Sequence, residues 1–194
     1  MTGTFGYGLD YFIDSPKQTA TKRLGHKKFW NVAVHAVVSW GTAWGTLVIG
    51  QLFLPFWIQL LMILCKLAIV IVTEPPVGFG YSIMYSVVCY FALYVQSSGT
   101  LFGSAMLIAL SFVIQIGSHL IFEGNLPPQK PPKGDGLVFQ VLDMGNEFFF
   151  CEFHFGLLLF MRVGLLPVLQ WRSDVELKKA LDRTAEIKYG RKAA

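Results

Sequence analysis

The chain has 194 residues, with 16 Lys and Arg against 12 Asp and Glu, and 54% of its residues are hydrophobic. From Phe29 to Phe122 only Lys66 and Glu74 carry a formal charge, so the charge sits almost entirely in the two flanks. A soluble domain needs charge on the outward face of every element, and a mean hydropathy of +0.51 argues against one. The apolar run is about four times the ~20 residues that cross ~30 Å of hydrocarbon, which points to a small polytopic all-α membrane protein.

In chain order, residues 1–28 form a basic segment. It contains Asp10 and Asp14 and lacks a compact apolar stretch ending in a small-residue cleavage site, so it does not read as a secretory signal peptide. Residues 29–122 read as a four-span bundle, with spans over 31–49, 53–73, 79–96 and 101–122. Glu74-Pro75-Pro76 breaks the helix between the second and third spans, and Ser97-Ser98-Gly99 closes the third. Residues 123–136 are a proline-rich linker that must lie outside the hydrocarbon.

Residues 137–170 combine two patterns. Gln140, Asp143 and Glu147 form a polar stripe on an otherwise apolar helix, which suits a helix lying in the membrane interface. A fifth hydrophobic segment follows over 148–170, carrying Glu152, His154 and Arg162, either as a span or as a re-entrant hairpin. A hairpin puts the basic groups of the N-terminal segment, the linker and the tail on one side, as the positive-inside tendency prefers. Residues 171–194 read as a charged amphipathic helix opened by the capping-box pattern Ser173-Asp174-Val175-Glu176.

Cys65, Cys89 and Cys151 are odd in number, widely spaced and set among apolar neighbours, so they read as packing residues rather than a disulfide framework. No G-x-S-x-G, Walker loop, GxGxxG or H-E-x-x-H is present. The basic patches adjoin spans and have few interleaved aromatics, so anionic headgroups suit them better than nucleic acid. The five tryptophans read as interfacial anchors and packing. Lys66 is expected to snorkel or to pair with Glu74, with a lipid carboxylate as another possible partner.

The four histidines, His26, His35, His119 and His154, all fall near one membrane face in this layout. Imidazole is a borderline ligand for divalent iron, copper and zinc, and an ionisable side chain inside a membrane is a functional candidate. His119 and Glu123 are four residues apart and can share a helix face, as can Asn31 and His35. His26 and His35 are nine apart and half a turn out of phase, so a shared centre requires a break before the first span, for which Gly25 is suited. Glu152 and His154 are two apart, so at most one of them faces the same centre.

HKKFWNVAVH reads H-x4-N-x3-H over His26, Asn31 and His35, and QIGSHLIFE reads Q-x3-H-x3-E over Gln115, His119 and Glu123. With the CEFHF segment around Glu152 and a short basic tail, the chain from His26 to Pro167 resembles the small endoplasmic-reticulum membrane family of yeast-type 2-hydroxy fatty acid dioxygenases. Lys28-Phe29 stands where that family commonly has Asn-Pro. The resemblance implies an iron(II)-dependent, oxygen-consuming step that shortens a 2-hydroxy fatty acid by one carbon. It implies His26, His35 and His119 as ligands to Fe(2+), with Glu123 as a fourth ligand or supporting partner and Asn31 and Gln115 as supporting groups; the residues themselves add Glu152 or His154 as a further candidate ligand. The implied location is the endoplasmic reticulum membrane, with the mitochondrial inner membrane as the alternative. The rival readings are a catalytically silent scaffold or accessory subunit of a larger membrane complex, and a lipid-binding module.

Overall fold

A computed structural model of the protein describes residues 5–94, 98–126 and 133–189. Every regular element among them is helical. A 3-10 turn, Leu9–Ile13, leads into α1 (Ser15–Arg23), followed by α2 (Phe29–Phe53), α3 (Phe56–Thr73), α4 (Pro75–Tyr94) and α5 (Ser98–Ser118). A π-helical turn, His119–Glu123, extends α5, and α6 (Leu137–Phe149), α7 (Cys151–Arg162) and α8 (Pro167–Tyr189) complete the chain. The last two residues expected in the third span with Ser97 of the break after it, and residues 127–132 of the proline linker, lie outside the described residues.

Among the described residues, three helices are long and apolar enough to cross a membrane: Phe29–Phe53, Phe56–Thr73 and Thr100–Glu123. The segment expected as the third span forms α4. It begins at Pro75, four residues earlier than expected, because proline is favoured in the first helical turn, where its missing N–H costs nothing. α7 and α8 together give a fourth candidate span, bent by 105° at the break.

That break is set by local chemistry. Gly164 adopts a left-handed φ of 80°, the Leu165 amide donates to the Phe160 carbonyl at 2.9 Å, and the Gly164 amide donates to the Met161 carbonyl at 3.1 Å. This is a Schellman ending, and Pro167 then starts the new helix. The expected capping box at Ser173 is not a helix start, because α8 is already six residues old there. Ser173 Oγ instead meets Thr19 Oγ1 at 3.1 Å and accepts from Arg23 Nη1 at 3.1 Å.

Polar residues are buried where α2 meets α5, and apolar residues of the same helices face outward. α2 buries Asn31, His35, Ser39 and Thr42, α5 buries Ser104, Ser111 and Ser118, while Val37, Phe102, Val113 and Ile121 are exposed. The two helices run antiparallel, with Gly41 against Ser111 and Gly45 against Ile108 and Ser104. Gly41 and Gly45 form a small-x-x-x-small pair, which lets membrane helices approach closely where van der Waals contact, not hydrophobic burial, drives association. A Cβ on Gly45 would stand 2.8 Å from Ile108 Cγ1 and 3.0 Å from the Ser104 carbonyl oxygen.

An ionic layer closes the N-terminal end of the bundle. Buried Lys22 on α1 pairs with Glu147 on α6, Lys133 pairs with Glu147 and with Asp143 at 2.8 Å, and Arg23 reaches Asp174 on α8 at 2.6 Å. Asp143 and Glu147 of the α6 stripe therefore face protein, whereas Gln140 is exposed, and Leu137, Val138, Val141 and Met144 face outward. Burial alone would raise the Glu147 carboxyl, but the ammonium groups of Lys22 and Lys133 hold it well below the usual carboxylate range. Lys133 is raised: burial works against its charged form, and Glu147 and Asp143 outweigh that.

Two predictions follow from this packing. Gly45→Leu overpacks the α2–α5 contact and lowers stability by about 1–3 kcal/mol, whereas Gly103→Ala, where a Cβ meets nothing within 4 Å, leaves it near the parent; thermal unfolding in detergent compares the two. The Glu147 contribution to stability is complete above the ordinary carboxyl value of 4.5 and is lost as pH falls from there through the depressed folded value. The Lys133 contribution is complete below 10.5 and is lost as pH rises through the raised folded value. Unfolding midpoints measured against pH should flatten at the acid end in Glu147→Gln.

Candidate metal centre

His26, His35 and His119 come together at the end of the bundle, each buried, with one ligand nitrogen apiece lying within 4.8 Å of the others. Their ring centroids are 4.6, 4.7 and 5.1 Å apart. Each reaches the centre from a different element: the turn after α1, the second turn of α2, and the π-helical turn after α5. The antiparallel register of α2 and α5 sets His35 opposite His119.

His26 joins them because α1 ends at Arg23 and the chain turns through Leu24 and Gly25 before α2 begins. The break falls where expected, but Gly25 keeps a φ outside the left-handed region, so the turn does not draw on that freedom of glycine. The Gly25 and His26 amides close it by donating to the Lys22 and Arg23 carbonyls. His26 Nδ1 lies 2.8 Å from the Lys22 carbonyl oxygen. A carbonyl only accepts, so Nδ1 carries the proton and Nε2 keeps the lone pair that a metal needs.

Asn31 is fully buried beside the cluster. Its Nδ2 donates to His119 Nδ1 at 3.2 Å and to Glu123 Oε1 at 3.3 Å, and its Oδ1 accepts from Ser118 Oγ at 2.6 Å. Glu123 Oε1 also accepts the Lys27 and Lys28 amides at 2.8 and 2.7 Å, capping the approach to α2. Glu123 thus stands one hydrogen bond from the cluster. The widened π-helical turn, a feature common at functional sites, changes the simple four-residue phase expected between His119 and Glu123.

The other expected residues lie elsewhere. Gln115 is half-buried, and its main-chain carbonyl accepts from Ser118 Oγ at 2.7 Å. Glu152 is turned into the bundle, where Oε1 takes the Lys66 ammonium and the Tyr81 hydroxyl, the latter at 2.5 Å. Lys66 therefore pairs with Glu152 and not with Glu74, whose Oε1 accepts from Ser15 Oγ. The expectation fails because Glu74 sits at the end of α3, two turns from Lys66, while α7 supplies a carboxylate at its own depth. His154 is buried against Phe150 and Phe153, outside the group of three.

Three contributors escape a reading of the sequence alone. Phe155 lies under the cluster, its ring centroid 4.8 Å from that of His26 and 4.6 Å from that of His35. Ser118 holds Asn31, and Arg162 Nη2 donates to the His26 carbonyl at 3.2 Å. Ser118 immediately precedes His119 in the quoted motif, and that adjacency is its only signal. Phe155 lies in the quoted CEFHF segment and Arg162 is one of the charges of the fifth segment, but their contact with His26 depends on how α7 packs.

The donor set suits a divalent transition metal. Two nitrogens bonded to one ion at ~2.0–2.1 Å stand no more than about 4.2 Å apart, so small ring rotations bring the three within reach. Imidazoles accommodate iron, zinc, copper and nickel, and the phenyl wall keeps bulk water from one side. No family model, curated protein or solved structure matches the chain.

Asn31→Ala should tighten metal binding, because the amide donating to His119 Nδ1 keeps the ring proton on Nε2 and so competes with a metal for the lone pair. Chelator competition with a spectroscopically visible divalent ion measures this. An unchanged or weaker affinity would show that the amide does not set the His119 tautomer.

Proposed function

We propose that the protein is an iron(II)-dependent dioxygenase that shortens 2-hydroxy fatty acids by one carbon in the endoplasmic reticulum membrane. The convergence of three buried imidazoles at one end of an apolar bundle is the observation that carries this reading. The spacing of Asn31, His35, Gln115, His119 and Glu123, which resembles that of the 2-hydroxy fatty acid dioxygenases, supports it.

The reaction balances without an external reductant. The C1–C2 bond of the 2-hydroxy acid breaks, C1 leaves as carbon dioxide, and C2 becomes the new carboxyl carbon. One dioxygen accepts the four electrons, giving one water for each shortened acid. Iron(II), when bound, supplies the single-electron reactivity that triplet dioxygen requires.

The chain's own part is binding and orientation. His26, His35 and His119 would hold the ion, with the Lys22 carbonyl fixing the His26 tautomer. Arg162, which touches the His26 carbonyl, and exposed Lys27 and Lys28 place positive charge at the rim, where a substrate carboxylate arrives. Phe155 excludes water beneath the rings. The acyl chain stays among apolar helices, with α7 and α8 as a re-entrant hairpin that returns the tail to α1.

Purified protein given iron(II), oxygen and 2-hydroxyhexadecanoic acid should yield pentadecanoic acid and carbon dioxide, one of each per oxygen consumed. His35→Ala and His119→Ala should bring turnover to background and remove bound iron. A folded sample with near-stoichiometric iron and no shortened acid would assign the chain instead to a silent scaffold of a larger membrane assembly.

A further inference from the structure

A cavity of about 700 Å³ opens between α2, α3 and α6, away from the histidines. Its α2 wall begins at Ala43, eight residues beyond His35, or about 12 Å along the helix at 1.5 Å per residue. On α3 the lining runs from Gln59 to Ile69, about 15 Å by the same rise. The volume falls in the range of small-molecule sites, and the lining is largely aliphatic and aromatic, so an extended apolar chain fits it.

The polar groups on its wall narrow the choice. Among the described residues, the charged ones lining it are Lys66 and Glu152, which neutralise each other. Gln59 and Asn146 also line it, each 7% exposed. Gln59 Nε2 and Asn146 Nδ2 are buried without a hydrogen-bond partner. A buried amide N–H without an acceptor costs about 1–3 kcal/mol, so two of them on one apolar cavity call for a ligand that brings acceptors. A charged head would meet no net charge there, whereas the ester carbonyl of an uncharged lipid accepts hydrogen bonds.

We infer that this cavity is a second lipid site, separate from the metal centre, that takes one single-chain acyl ester with an uncharged head, the chemistry of a monoacylglycerol. The chain lies along α3 and α6, and the ester oxygens meet the amides of Gln59 and Asn146. The site does not depend on bound metal or on turnover.

The test uses the full chain in phosphatidylcholine nanodiscs with a diazirine-bearing monoacylglycerol, followed by peptide mapping. Saturable labelling is expected within α3 and α6, displaced by monopalmitin. It should persist in His35→Ala, which separates this site from the metal reading. Gly145 lines the cavity, and a Cβ there meets nothing within 4 Å, so Gly145→Phe fills the space and should abolish labelling. Replacing Gln59 and Asn146 by Leu should weaken it about five- to tenfold for each amide lost. Cys65 is exposed and lines the same cavity, so its protection from alkylation by monopalmitin gives a readout in the unsubstituted protein, independent of how the variants fold. Labelling that does not saturate, or that survives Gly145→Phe, would show bulk lipid only and overturn the proposal. Equal displacement by hexadecane would show that the amides read no head group, and stronger displacement by palmitate or 2-hydroxypalmitate would make this an acid site; either overturns it.

Discussion

The close approach of α2 and α5 is the constraint on which the rest depends. Neither helix has a hydrophobic reason to leave lipid for the other, since lipid tails are as apolar as their side chains. Gly41 and Gly45 on one helix, facing Ser111 and Ser104 on the other, let the backbones come near enough for dispersion to hold them. Once that register is set, the polar residues at the histidine end of the shared face find their counterparts. Ser118 meets Asn31, and Asn31 meets His119. The imidazoles are therefore placed by a contact made two to three turns away from them.

His26 is the exception, because it comes from outside the bundle, and Lys22 carries the load of placing it. The Lys22 side chain is buried in the ionic layer with Glu147 and lies 5.3 Å over the Phe155 ring, while its carbonyl takes the His26 imidazole. One residue thus joins α1, α6, α7 and the metal centre. The tail reinforces it: Thr19 and Arg23 bind Ser173, and Arg23 binds Asp174, so α8 holds α1 down over the end of the bundle. Basic residues that read in sequence as a headgroup-binding patch are in large part paired to acids within the protein.

Composition made the membrane class and the apolar helices legible, and helical phase correctly required a break between His26 and His35. Proline positions gave helix starts only roughly, since Pro75 and Pro167 begin helices instead of lying beyond their ends. Partners distant in sequence were the part hidden from view. Glu74 looked the natural mate of Lys66 because both interrupt the apolar run, but depth in the bundle decides pairing, and Glu152 shares that depth. The capping pattern at Ser173 was chemically sound and yet unused as a cap, because the Schellman ending at Gly164 and the following proline had already started the helix. Local rules identified which side chains could hydrogen-bond; only the packing of α1, α7 and α8 determined with whom.

The Lys66–Glu152 pair shows why a costly feature persists in such a bundle. Both groups are more than nine-tenths buried, and taking two charges out of water gains little net stability even when they meet. Removing one partner is another matter, since the orphaned charge costs about 3–5 kcal/mol. The pair therefore acts on specificity. α7 cannot slide along α3 or rotate against α4 without withdrawing Glu152 from the Lys66 ammonium and the Tyr81 hydroxyl, and the Tyr85 ring, 4.1 Å from Lys66 Nζ, narrows the alternatives further. Phe155 is three residues beyond Glu152, on the same side of α7, so fixing the carboxylate also fixes the phenyl ring beneath His26 and His35. An ion pair deep in the apolar layer thereby sets the floor of the histidine cluster.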